Sequence, residues 1–355
     1  MRLSFSFRST CLSVLFALLP SLASAQSYPA PHEGDWVAPS FTFHTGETLK
    51  AVRLHYVTIG DPANPAVLVL HGTNQPATSM LTPNFAGKLF GRGQPLDATK
   101  YYIILPEGIG IGQSTKPSDG LHAHFPQYDY DDMVSAQYRT VTEGLGIHHL
   151  RLVLGFSLGG MQTWLWGEKY PSMMDALVPM ASQPIEMSAR NWMMRRMLVE
   201  SIRQDPAWNH GDYTTQPPSL RLASTMFGIA TSGGTLAYQA LAPTRAKADK
   251  MVDDMLAAPK GDANDVMYQW AAAGDYNPVP GLSRIQAPLL AINAADDERN
   301  PPDTGTMQTA LGQLKHARLL LIPASAETRG HATLLVNATF YAQQLGAFMQ
   351  ETAHH

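Results

Sequence analysis

Gly155-Phe156-Ser157-Leu158-Gly159 lies between an apolar run at residues 150–154, Leu-Arg-Leu-Val-Leu, and residues 161–166, which contain neither Pro nor Gly. A short run dominated by Leu and Val has the length and composition of a strand buried on both faces. The uninterrupted stretch after Gly160 reads as a helix. Small residues around the serine let the chain turn so tightly that the hydroxyl projects from the handover between strand and helix. At that point the backbone N–H of Leu158 and the positive end of the helix dipole both face any oxyanion formed on a bound acyl group. Ser157 is therefore a candidate nucleophile.

The surrounding chain repeats the same rhythm. Residues 66–70, 101–105, 176–181, 288–293 and 318–322 are short apolar runs, and helical spacing occupies 130–145, 304–314 and 339–349. Alternation of this kind predicts an α/β architecture, a mostly parallel sheet covered by helices on both faces. Ligands bind such sheets at the carboxyl ends of the strands, where Thr73 and Ser157 both fall. Residues 41–48 and 51–59 alternate as an antiparallel pair turned at Gly46-Glu47, and the Pro-rich polar stretch 27–40 is expected as an arm over the surface.

Between residues 183 and 283 no buried-type strand occurs. Helical patterns such as 189–203 and 246–258 dominate, with Met187, Met193, Met194, Met197, Met226, Met251, Met255 and Met267. This reads as a helical cap inserted between two core strands, its methionines either forming a deformable apolar surface toward the site or packing the cap helices against one another. The expected division is a leader at 1–25, a first core part at 26–183, the cap at 184–283 and a second core part at 284–355.

Arg2 and Arg8, an apolar stretch at 11–19 and Ala23-Ser24-Ala25 form the pattern of a cleaved signal peptide, which implies a periplasmic or secreted protein. That stretch is too short for a membrane anchor, which takes about 20 apolar residues. Cys11 is the one cysteine and lies in the leader, so the mature chain has neither disulfides nor a thiol nucleophile. A net charge of −4 provides no basic footprint for nucleic acid. The expected partner is a small-molecule acyl substrate, with no cofactor. His122, His124, His148 and His149 lack the acidic neighbours of a metal site, so no metal is expected.

A serine hydroxyl needs a histidine to take its proton, and the histidine needs an acid to fix its tautomer. These partners are expected in the order serine, acid, histidine, at the ends of the last two strands. The first of those strands runs into Ala295-Asp296-Asp297-Glu298-Arg299-Asn300-Pro301, so Asp297 is the candidate acid and Asp296 its rival. The second runs into Arg329-Gly330-His331, which makes His331 the candidate base. The oxyanion hole is assigned to the N–H groups of Leu158 and Thr73, the latter following His71-Gly72 at the end of the neighbouring strand.

With these residues in view, the chain resembles the homoserine O-acetyltransferase family of the α/β-hydrolase fold. The likeness is densest in Leu96-Asp97-Ala98-Thr99-Lys100-Tyr101-Tyr102, Asp131-Asp132-Met133-Val134-Ser135-Ala136-Gln137 and Leu158-Gly159-Gly160-Met161-Gln162, and continues in Asp205-Pro206-Ala207-Trp208 and Gly330-His331. The resemblance implies an acyl-enzyme on Ser157, a deep site beneath the cap and a homodimer. It also implies a Tyr-Arg-Ser and an Arg-Phe-Gly-Arg in the cap, and neither occurs between residues 219 and 283. The function expected from the sequence is thus an exported serine hydrolase acting on a small ester. The alternatives are an O-acyltransferase and a non-catalytic binding protein on the same fold.

Overall fold

Apolar five-residue runs cannot leave either face in water, and the computed structural model, which describes residues 28–353, gathers them into one 8-stranded sheet. The leader read at 1–25 lies outside the described residues. The strands are β1 (His32–Thr42), β2 (Thr48–Ile59), β3 (Ala66–Leu70), β4 (Tyr102–Pro106), β5 (Leu152–Phe156), β6 (Leu177–Met180), β7 (Leu289–Ala294) and β8 (Ala317–Ile322). Their order is β1-β2-β4-β3-β5-β6-β7-β8; β2 pairs antiparallel with β1 and β4, and all other pairings are parallel.

The period of two sorts each strand between two cores. Leu68, Leu70, Ile104 and Val153 point to one, Val67, Val69, Ile103, Leu105 and Leu154 to the other. Each such side chain, wholly buried, is worth about 1.5–3 kcal/mol of burial. The helices α1 (Ala86–Leu89), α10 (Thr333–Val336) and α11 (Ala342–Glu351) cover the second core, and α2 (Tyr130–Arg139) and α3 (Leu158–Lys169) the first. The remaining core helix, α9 (Thr306–Leu311), precedes β8.

The stretch read as a surface arm is instead β1, the edge strand, in register from His32 opposite Thr58 to Thr42 opposite Thr48. An antiparallel edge strand can leave one face in water, so its polar composition concealed it. Only Ala38 and Phe41 along β1 are buried. The helix expected over 130–145 stops at Arg139 and continues as one wide turn, Thr140–Gly144, where the Thr140 hydroxyl bonds back to the carbonyl of Ala136. Pro179 sits inside β6. The flanking N–H groups of Leu177 and Ala181 donate to Pro288 and Ile292, so the donor that proline lacks falls on the β7 side, where pairing is sparse.

Between β6 and β7 the chain forms α4 (Ala189–Arg203), α5 (Pro218–Ser232), α6 (Thr235–Leu241), α7 (Arg245–Ala257) and α8 (Ala263–Ala271). These helices make up the inserted cap. Its methionines do not form a common surface toward the site: Met193, Met197 and Met226 are 66%, 60% and 58% exposed. Helical spacing turns Leu198 and Ile202 of α4 and Phe227 of α5 inward and leaves those methionines outside.

Candidate active site

The elbow at Ser157 is built by close approach of backbone. Ser157 has φ 57° and ψ −111°, a conformation that costs a non-glycine residue energy and is held by its surroundings. A Cβ at Gly155 would run into the carbonyl of Gly159, and one at Gly159 into the backbone of Leu70. Here glycine is required by space. The turn is tied down on both sides: Ser157 N–H donates to Met180 O on β6 (2.9 Å), and Gly159 N–H to His71 O beyond β3 (3.0 Å).

His331 lies in a short turn, Gly330–Ala332, after β8. Its Nε2 is 2.7 Å from Ser157 Oγ and its Nδ1 is 2.9 Å from Asp297 Oδ2. The serine, histidine and acid candidates thus meet in one chain of hydrogen bonds, all three buried. Asp297 also accepts from the Asn300 side chain (2.8 Å) and from Arg299 N–H (2.9 Å). Burial would raise the Asp297 carboxyl, but His331, Asn300 and Arg299 N–H outweigh it and hold the group below the usual carboxylate range. Burial is the chief reason that His331 titrates below the ordinary 6.5; Asp297 opposes the shift, and Arg299 and Arg195 add to it.

Asp296, the rival acid, turns away from the imidazole. Its Oδ2 accepts from the Thr328 hydroxyl (2.7 Å) and from Gly330 N–H (3.3 Å), so it anchors the loop that carries His331.

The two N–H groups assigned to the oxyanion hole come from neighbouring segments. Leu158 opens α3, so its N–H has no carbonyl one turn earlier to bond. Thr73 follows the His71-Gly72 step that Gly159 N–H grips. His71 shapes this loop as a neutral ring: Nδ1–H donates to Gly72 O (2.8 Å) and Nε2 accepts from Gly108 N–H (2.9 Å). Burial lowers its pKa, consistent with that state. From the cap, Gln269 of α8 donates to Ile109 O (3.1 Å) and lies beside Asn74 N–H, fastening α8 over the strand ends.

Several residues at the site were not read from sequence. Asn300 is one, and Tyr130, Arg195 and Trp270 come from α2, α4 and α8. Arg299, in the same loop as the acid, stacks on Phe227, with its guanidinium carbon 4.6 Å from that ring's centre. A cleft of about 210 Å³, lined by Met161, Gln183, Tyr276, Arg299 and Asn300 among others, runs on the acid's side of the relay. At the start of α2, His44, Asp129 and Asp132 have ligand atoms within 4.8 Å of one another, a grouping able to hold a metal ion. Asp129 and Asp132 already cap α2 there, and Asp132 bonds His44 at 2.7 Å.

Residues 65–328 match the family model described as alpha/beta hydrolase fold. The chain belongs to that family and is an enzyme of that fold. In sequence it is 31% identical over 220 residues to the homoserine O-acetyltransferase of Thermobifida fusca, covering 56% of this chain and 57% of that one. The chain spans just over half the length of the first such relatives, 57%, 57% and 53%. In structure it resembles the homoserine O-acetyltransferase of Bacillus anthracis, with a TM-score of 0.79 at 21% identity over 90% of this chain and 97% of that one. It also resembles esterase E22, with a TM-score of 0.78 at 20% identity over 90% of this chain and 100% of that one. At these identities the structural likeness speaks to the fold. Among the described residues no helix is long and apolar enough to cross a membrane.

Proposed function

We propose that the chain moves an acyl group through an ester on Ser157 to a hydroxyl acceptor. The observation that carries this reading is the relay from Asp297 Oδ2 through His331 to Ser157 Oγ, at 2.9 and 2.7 Å, enclosed at an elbow. Ser157 Oγ attacks the acyl carbonyl while His331 Nε2 takes its proton, and Asp297 holds the Nδ1–H tautomer and balances the imidazolium. The tetrahedral oxyanion is received by the N–H groups of Leu158 and Thr73. His331 then gives its proton to the leaving group as the carbon–leaving-group bond breaks. In the second half the acceptor hydroxyl loses its proton to His331, attacks the acyl carbon and departs as an ester, with the proton returned to Ser157. The sequence relatives, which carry acyltransferase names, support transfer over the hydrolysis expected from the sequence alone.

Hydrolysis of the same acyl-enzyme is the second reading. It is favoured by the absence of Tyr-Arg-Ser and Arg-Phe-Gly-Arg between residues 219 and 283, where the nearest material is Tyr238-Gln239-Ala240-Leu241. Export, proposed from the leader pattern at 1–25, also favours water, which is present in every compartment.

The test gives the protein lacking residues 1–25, and its Ser157→Ala variant, acetyl-CoA with homoserine or simple alcohols and, separately, p-nitrophenyl acetate. Thiol release that needs both Ser157 and an added alcohol supports transfer. Serine-dependent nitrophenol release, insensitive to alcohols and without thiol release, overturns transfer in favour of hydrolysis. Failure of a fluorophosphonate to label Ser157 overturns both.

A further inference from the structure

Two arginines border the site without a carboxylate of their own. Arg195 of α4 is 1% exposed; its Nε donates to Asn191 Oδ1 at 2.9 Å and one terminal nitrogen to the Tyr130 hydroxyl at 3.3 Å. Arg299, in the loop after β7, is half-buried and donates from Nε to the Thr231 hydroxyl of α5 at 3.1 Å. Both guanidiniums lie against one ring: their carbons are 4.8 and 5.8 Å from the centre of Trp270. Among the described residues neither takes part in an ion pair within 4.0 Å.

Burying like charges on one aromatic ring costs free energy that cation–π contact offsets in part. Their mutual effect is visible: burial first, and then the charge of Arg195, push Arg299 down to about 9, against the opposing pull of Asp297. Asp297 stabilises the Arg299 charge at a distance but pairs directly with neither guanidinium, because its oxygens are engaged by His331, Asn300 and Arg299 N–H. Neither guanidinium is bonded to a carboxylate of the described residues, which leaves their outward N–H groups for an anion from outside the protein.

The position of the pair ties it to the chemistry. On one side, the Tyr130 phenol bonded by Arg195 lies beside the Thr73 side chain, next to the candidate oxyanion hole. On the other, Arg299 adjoins the acid, and both charges reach His331. A guanidinium presents parallel N–H groups that match the two oxygens of a carboxylate.

We propose that Arg195 and Arg299 form an anion subsite that takes a carboxylate carried by the substrate, on its acyl or its alcohol side. The subsite rests on the reading of acyl transfer at Ser157. It selects acyl compounds such as half-esters of dicarboxylic acids, or acyl esters of hydroxy acids, over neutral esters of the same size.

The experiment compares matched pairs. On the acyl side, 4-nitrophenyl hemisuccinate is set against 4-nitrophenyl methyl succinate; on the alcohol side, 4-acetoxybenzoate against its methyl ester. In the native protein kcat/KM for the anionic member of one pair exceeds that of its neutral isostere by roughly 10- to 100-fold, the worth of one charge-assisted hydrogen bond. The pair that discriminates identifies the side that carries the carboxylate. In Arg299→Met the ratio falls toward unity, and Arg195→Lys, which retains charge in the core but loses the fork, reduces it less. Ratios near unity for both pairs in the native protein overturn the proposal, as does a high ratio that Arg299→Met leaves in place. If no ester turns over while the fold is intact, the acyl-transfer reading fails separately. The subsite is then decided by succinate monoamide, which raises Tm of the native protein more than that of Arg299→Met if the proposal holds, and equally or not at all if it does not.

Discussion

His331 Nε2 lies 2.7 Å from Ser157 Oγ although the two residues are 174 positions apart. Two separate backbone devices bring them together: the elbow fixed to β6 and the β3 loop, and the loop after β8 anchored by Asp296.

That geometry predicts that Ser157→Ala and His331→Ala each reduce kcat by roughly 10⁴-fold or more, and that the double variant loses little beyond either single one. Steady-state turnover of the three proteins on one activated ester checks it. Additive losses would mean that the pair does not act as a unit.

Asp297 and Asp296 are adjacent in sequence, yet the first bonds His331 and the second bonds Thr328 and Gly330. Asp297→Asn leaves His331 without its acceptor and is expected to lower kcat by about 10⁴-fold. Asp296→Asn keeps the relay but weakens the bonds from Thr328 and Gly330, a cost of about 1–3 kcal/mol that appears in the urea midpoint first. Turnover and denaturation measured on both variants separate the two roles; equal kinetic losses would count against the assignment.

The pH profile follows from the imidazole. The general base must be neutral, and His331 titrates below the ordinary 6.5, chiefly through burial. Activity therefore rises with pH along a limb that lies below pH 6.5. Arg299 also lowers this pKa, so Arg299→Met moves the limb to higher pH. A profile of kcat/KM for the two proteins on a neutral ester gives the sign directly.

The elbow glycine offers a stability test. In Gly155→Ala the added methyl meets the Gly159 carbonyl, and the backbone must shift to admit it. A loss of about 1–3 kcal/mol is expected, together with reduced turnover as Ser157 moves. An unchanged thermal midpoint would show that the elbow tolerates wider spacing.

The parallel core and the relay were legible because both follow from local pattern. Apolar runs such as 66–70 and 150–154 must be buried on both faces, and a Gly-flanked serine between strand and helix has few other uses. Asp297 could be preferred to Asp296 only by its spacing from Pro301. β1 was missed because an edge strand may carry polar residues on its open face, and the sequence left the cap methionines unplaced because composition does not say which side of a helix a residue occupies.

By itself, then, the sequence determined the sheet, the elbow and the residue types of the relay, since hydrophobic period and backbone sterics act over a few neighbours. Tertiary structure alone decided which aspartate reaches His331. It alone set Arg195 and Arg299, 104 positions apart, against the one ring of Trp270. Such meetings depend on how α4, α8 and the β7 loop pack across long loops, and charge placed through space leaves no period in the chain.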